Sequence, residues 1–205
     1  KPLPPEVIAA LTPEAPAPPE LRRPPLILAV CAGGLWAVTG GWLAFGSLGP
    51  LAPLGTRLAF GALLVGLGLL TWGPLQWATR LKVLTWRGTV GWGMLLWTLA
   101  FVPPPSAPLV AGLPDLPVYA LLFASVFLAG DALALPALYV RSLRRAHLRT
   151  VRLDLRQPKR QAAECGLFLA LCVALAAINA LTPVSMILML AILVLSEMMI
   201  LFWEQ

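Results

Sequence analysis

Six apolar stretches, at about 26–46, 57–79, 83–102, 116–140, 163–181 and 183–203, occupy most of this 205-residue chain and are nearly devoid of charge. Each is long enough to cross ~30 Å of hydrocarbon at ~1.5 Å of rise per residue. None alternates with the period of a barrel strand. A helix is then the only form that satisfies its backbone internally in lipid. Thr182-Pro183 leaves almost no loop between the last two stretches, which predicts a tight antiparallel hairpin. Merging them would give ~40 residues, about twice a membrane's span. Asn179, Thr182 and Pro183 interrupt that merged run in its middle. The expected fold is an all-α integral membrane protein, a bundle of six transmembrane helices.

Composition agrees with lipid as the main solvent. Apolar residues make up 59% of the chain and charged residues 12%, against roughly a quarter charged in soluble domains. Mean hydropathy is +0.84. The net charge of +6 therefore reads as a topology signal. A nucleic-acid-binding patch would need a soluble face, and little is left for one.

The cations are sharply partitioned. Lys1, Arg22 and Arg23 precede the first stretch, and Arg80, Lys82 and Arg87 surround the second connection. Arg141, Arg144, Arg145, Arg149, Arg152, Arg156, Lys159 and Arg160 lie in the fourth, a basic connection spanning 141–162. Of the fifteen Lys and Arg residues, only Arg57 falls on the other side. By the positive-inside rule the rich side is cytoplasmic, so both termini are expected there. An odd number of spans would scramble the partition. A bacterial cytoplasmic or thylakoid-type membrane is the expected location.

Residues 1–25 form a separate unit with nine prolines and three glutamates. Such a composition predicts an extended, polyproline-like tail, with one short helix at Val7–Leu11 after Pro4-Pro5. A tail of this kind rarely orders alone, so a partner is expected to hold it. It lacks the apolar core of a signal peptide. The chain opens on Lys1 rather than methionine, which predicts processing or trimming at the N-terminus. Cys31, Cys165 and Cys172 all lie in apolar stretches without CxxC or Cys/His spacing. They read as packing residues, with neither a metal site nor a disulfide framework.

Trp42 at one edge, and Trp77, Trp86 and Trp203 at the other, fall where an aromatic belt is expected. Trp36, Trp72, Trp92 and Trp97 lie deeper and are expected between helices. Gly33, Gly34, Gly40, Gly61, Gly88 and Gly91, with Ala170 and Ala174, offer small positions for close helix approach. Trp42-Leu43-Ala44-Phe45 before Leu51-Ala52-Pro53-Leu54 echoes Trp97-Thr98-Leu99-Ala100-Phe101 before Ser106-Ala107-Pro108-Leu109. The echo reads either as a duplicated hairpin or as chance in a Leu/Ala/Pro-rich chain.

Ionisable residues in a bilayer cost a few kcal/mol, so each asks for a reason. Asp131 lies about nine residues, ~13 Å, from the inner end of the fourth helix. Pro136 follows it and removes the N–H that would bond the Ala132 carbonyl. Glu197 lies ~9 Å from the inner end of the sixth helix, a comparable depth. Arg87, one turn into the third helix, either reaches that level or snorkels outward. One reading makes Asp131, Glu197 and Arg87 a proton or cation relay. The other makes both acids structural.

The basic connection reads as a docking face for an acidic partner or anionic lipid, or as a solvated topology determinant. Leu143, Ala146 or His147, and Val151 share a helical face, which predicts that the fourth helix continues outward. His147 is the only histidine and lies in that connection, so bis-histidine haem within the bundle is excluded. Other pigments and quinone remain open. No HExxH, GxSxG, Walker or EF-hand pattern occurs, so no catalytic residue and no metal ligand is named.

Three functions fit. The first is a non-catalytic subunit or assembly factor of a larger membrane complex, with other membrane subunits as partners. The second is a small proton- or cation-coupled transporter using Asp131 and Glu197. The third is a haem-free, quinone-interacting anchor of a redox enzyme. The cation partition itself predicts labelling: single cysteines at 103–115 should react with an impermeant reagent from outside, and those at 141–160 only after permeabilisation. Reversed labelling would overturn the orientation.

Overall fold

The computed structural model describes residues 25–46, 48–104, 115–149 and 156–203. The proline-rich tail with its Val7–Leu11 helix, the 106–109 part of the sequence echo, and Val151 and Arg152 lie outside these residues. So do the side chains of Arg145, His147 and Arg149. Six helices form the described fold: α1 Leu26–Phe45, α2 Leu54–Thr79, α3 Leu84–Phe101, α4 Leu116–Arg149, α5 Arg156–Ala177 and α6 Pro183–Trp203. No strand occurs among the described residues.

The chain is a helical membrane protein in which five helices are long and apolar enough to cross a bilayer. The exception is α3. Arg87, Thr85, Thr89 and Thr98, with three glycines and three tryptophans, dilute its apolar content over 18 residues.

Two helices run past their apolar stretches, α4 as the helical face at Leu143 predicts and α5 against expectation, for one reason. Helices do not stop where apolar residues stop. α4 runs through Arg141 and Arg144 to Arg149, 34 residues in all. At ~1.5 Å per residue it projects well beyond ~30 Å of hydrocarbon. α5 begins at Arg156, inside the basic connection, with Pro158 in its first turn, where a missing N–H costs nothing.

Each helix packs chiefly on its sequence neighbours, and the closest associations are α4 with α5 and α4 with α3. One buried cluster joins Trp72, Leu81, Leu84, Ala132, Leu135, Tyr139, Leu143 and Ala162. It gathers the end of α2, the start of α3, the second half of α4 and the start of α5, so the two basic connections share one end of the bundle. A second cluster, around Phe60, Leu64, Leu67, Leu96 and Phe101, joins α2 to α3. Edge-to-face rings bind that region, including Trp42 on Phe60 at 5.7 Å and Trp36 on Trp92 at 5.2 Å. Trp42, expected in the aromatic belt, thus packs inward, while Trp77 and Trp86 stay exposed.

The seams around α4 depend on glycine. A Cβ on Gly91 of α3 would stand 2.7 Å from the Leu128 carbonyl carbon. One on Gly166 of α5 would stand 2.5 Å from the Phe127 carbonyl oxygen and 3.0 Å from the Asp131 nitrogen. One on Gly130 would stand 3.0 Å from the Gly166 Cα. Backbone lies against backbone here. Gly33, Gly34 and Gly40, counted as packing positions from the sequence, meet nothing within 4 Å.

Two tight turns complete the frame. Arg80 and Val83 both adopt positive φ, at 55° and 75°, to reverse the chain between α2 and α3. The α5–α6 hairpin turns at Asn179, also at positive φ (56°). Thr182 then caps α6: its hydroxyl accepts from the Ser185 N–H at 3.1 Å, and the Ser185 hydroxyl accepts from the Thr182 N–H at 2.9 Å. Pro183 fills the first helical position, as its fixed φ favours.

The glycine geometry predicts a contrast. Gly166→Ala should destabilise the protein by about 1–3 kcal/mol, the usual cost of overpacking. Gly34→Ala should leave stability unchanged or raise it by up to about 1 kcal/mol. Thermal unfolding in detergent measures both, and equal effects would show that the seam is not sterically set.

Candidate functional site

Five hydroxyl groups within the helices satisfy themselves locally, whereas those of Thr89 and Ser142 are buried without a partner among the described residues. Thr39, Thr79 and Thr98 donate to the carbonyls of Leu35, Leu75 and Met94 at 2.7–2.8 Å. Ser125 and Ser196 donate to the carbonyls three residues back at 2.8 Å. Back-bonding of this kind removes the cost of a hydroxyl in lipid without building a site.

The acids behave differently, because no backbone group can neutralise a carboxylate. Asp131 is buried where α3, α4 and α5 approach most closely, its side chain 3% exposed. Arg87, in the first turn of α3, donates from Nη1 to Asp131 Oδ2 at 3.0 Å while remaining 45% exposed. The arginine therefore does both things its position allows: its head reaches the acid and its flank stays at the surface. Oδ1 of Asp131 is buried without a hydrogen-bond partner.

Glu197 on α6 meets Arg160 on α5 in a two-pronged pair, Nε to Oε2 at 2.9 Å and Nη2 to Oε1 at 3.0 Å. Gln161 adds a donor to Oε1 at 3.3 Å, and the Glu164 carboxyl lies beside Glu197. Matched fork geometry makes this the stronger kind of charged hydrogen bond. Arg160, counted among the docking cations by sequence, is thus committed inside the bundle.

The residues of the expected relay fall into two separate clamps. Arg87 and Asp131 come together, as do Arg160 and Glu197, and no hydrogen bond or ion pair joins Asp131 to Glu197. Arg141, Arg144, Arg156 and Lys159 stand exposed at the basic end of the bundle.

Sequence reasoning missed Glu164 and Gln161. A helix start at 156 places Arg160 and Glu164 four residues apart, on one face. Among the described residues no three His, Cys, Asp or Glu side chains group to hold a metal ion. Cys31 and Cys165 are exposed and Cys172 is partly buried, all as free thiols.

No protein-family model matches this chain, and no curated protein or solved structure is significantly similar to it.

The Arg87–Asp131 contact can be weighed by a double-mutant cycle. Breaking a fully buried pair from one side costs about 3–5 kcal/mol; the exposure of Arg87 lowers the expectation for Arg87→Gln to about 2 kcal/mol. Adding Asp131→Asn should recover much of that loss, because the bare carboxylate disappears. Simple additivity of the two losses would mean the pair contributes nothing as a pair.

Proposed function

We propose that this chain is a non-catalytic integral membrane subunit, or assembly factor, of a larger membrane complex. In this reading all six helices span the membrane, and both termini lie on the cytoplasmic side of a bacterial cytoplasmic or thylakoid-type membrane. The observation that carries the reading is the state of α6. None of its Pro183–Ile200 window is buried within the chain, and its main neighbour is α5. Ile187, Leu195 and Met198 are each more than 60% exposed. A helix fixed chiefly by one polar clamp leaves most of its circumference open, and in this reading helices of neighbouring subunits take the place of lipid there. The two acids support the same reading, since each is engaged by an arginine of the neighbouring helix.

The exposed cations of the basic connection, Arg141, Arg144, Arg156 and Lys159, then serve to dock an acidic surface of a partner protein. Steering by such a patch falls off within about 10 Å at moderate salt.

A second reading, a small proton- or cation-coupled transporter, is favoured by one observation: Oδ1 of Asp131 is buried without a partner. Purification in mild detergent separates the two. A subunit should travel with a stoichiometric set of other proteins, and Glu197→Gln should weaken their retention by loosening α6. A lone homo-oligomer whose ion or proton flux is abolished by Asp131→Asn would replace the first reading with the second.

A further inference from the structure

At the basic end of the bundle, the last turn of α2 and the first turn of α3 enclose a cleft of about 390 Å³. Its walls are Gly73, Gln76, Trp77, Arg80, Lys82 and Thr85. That volume falls within the ~300–1,000 Å³ of small-molecule sites. The two cations at its mouth are fixed by the turn between them. Leu81 is 4% exposed and Leu84 is fully buried, so the core anchors the short segment that carries Arg80 and Lys82. Positive φ at Arg80 and Val83 is tolerated where surrounding packing over-determines the backbone.

Neither cation has an ion-pair partner among the described residues. Asp131 is engaged by Arg87 and Glu197 by Arg160. Gln76 accepts the Thr85 N–H on its Oε1 at 2.8 Å, which orients the amide and leaves its NH2 group to donate elsewhere. Two unpaired cations, an amide donor and a hydroxyl are the complement of a phosphate.

The cleft continues into an apolar stripe. Val65, Leu69, Gly73 and Trp77 recur every fourth residue on α2, and the three with side chains are 51–54% exposed. Gly73 has nothing within 4 Å of where a Cβ would stand, so it forms a dip between Leu69 and Trp77. Trp77 stands where the cationic mouth meets this stripe, as interfacial tryptophans do at headgroup depth.

We propose that the cleft binds the headgroup phosphate of an anionic glycerophospholipid, with an acyl chain lying along the α2 stripe. A soluble phosphate would use the cations but has no use for the stripe. The lipid uses both.

Native mass spectrometry of the full chain in mild detergent, titrated with phosphatidylglycerol or phosphatidylcholine, tests this. Phosphatidylglycerol should bind in preference to phosphatidylcholine. The double variant R80Q/K82Q should lose about twenty-five-fold in affinity, from about five-fold per cation near a membrane surface. The single variants should each lose part of it, and keep the test decisive if the double variant folds poorly. R141Q/R144Q removes the same charge from the same end and should lose less than either single variant. Gly73→Leu fills the dip and should weaken lipid binding while both cations remain. Absence of a preference for the anionic lipid, or equal losses in R80Q/K82Q and R141Q/R144Q, would overturn the proposal. Displacement of the lipid by inorganic phosphate, with no effect of Gly73→Leu, would overturn it in favour of a soluble-anion site.

Discussion

Close approach of α3 and α5 to the backbone of α4 is the constraint on which the rest of the arrangement depends. Lipid tails are as apolar as leucine, so burial of apolar surface supplies no drive for one membrane helix to pack on another. What remains is dispersion across tightly fitted surfaces and the polar contacts that a close fit permits. Gly91, Gly130 and Gly166 let peptide groups of neighbouring helices come into van der Waals contact. Because both seams lie near residues 127–131, α4 is clasped from two sides at one level. Asp131 sits at that level, and only a helix held this close lets Arg87 reach it from the first turn of α3.

The remaining helices are attached by other means, and the differences are chemical. α1 and α2 meet α3 through interlocked aromatic rings, and Trp36 donates from Nε1 to the Thr71 hydroxyl at 3.2 Å. Arg57 is absorbed in the same corner, its guanidinium over the Phe101 ring at 5.8 Å and bonded to the Pro50 carbonyl. Ring and carbonyl thus take the place of part of this cation's water, although its Nε is buried without a hydrogen-bond partner among the described residues. α6 has neither a glycine seam nor an aromatic lock. Its attachment is the clamp of Glu197 with Arg160, Gln161 and Glu164, together with the short capped hairpin at Thr182.

How much of this was legible in the sequence follows from what a hydropathy run measures. It measures where lipid is tolerated, so six helices were readable at nearly the right places. It does not measure where a helix ends, and α4 and α5 both extend into charged sequence that a bilayer would reject. That error had a consequence. With the fifth helix starting at 163, Arg160 belonged to a loop and no partner for Glu197 was visible. Started at 156, the helix places Arg160 and Glu164 on one face. The third helix was the converse case, recognisable by its place between turns but diluted by threonine, tryptophan and glycine. Glycine content was equally ambiguous. Gly91 at a seam and Gly34 on an open face look alike in one sequence, because spacing alone does not say which face meets a neighbour.

The two clamps also differ in completeness, and the difference decides where chemistry has room. Glu197 has both oxygens engaged, by two nitrogens of one guanidinium and an amide, with a second carboxyl beside it. Such an acid is largely solvated by protein, with donors on both oxygens, which leaves little room for a proton or cation. Asp131 has one oxygen engaged and one bare, in a more buried position, five residues before a proline that leaves the Ala132 carbonyl without its usual N–H donor. An unmet acceptor in a low-dielectric site costs about 1–3 kcal/mol or more when charged. Folding alone gives little reason to keep it, since asparagine would fit the same space without a charge to neutralise. The arginine tethered to it is half exposed, so the pair opens toward the surface on one side and onto bare oxygen on the other. Of the ionisable groups within the helices, Asp131 is therefore the one whose placement is not fully explained by holding helices together.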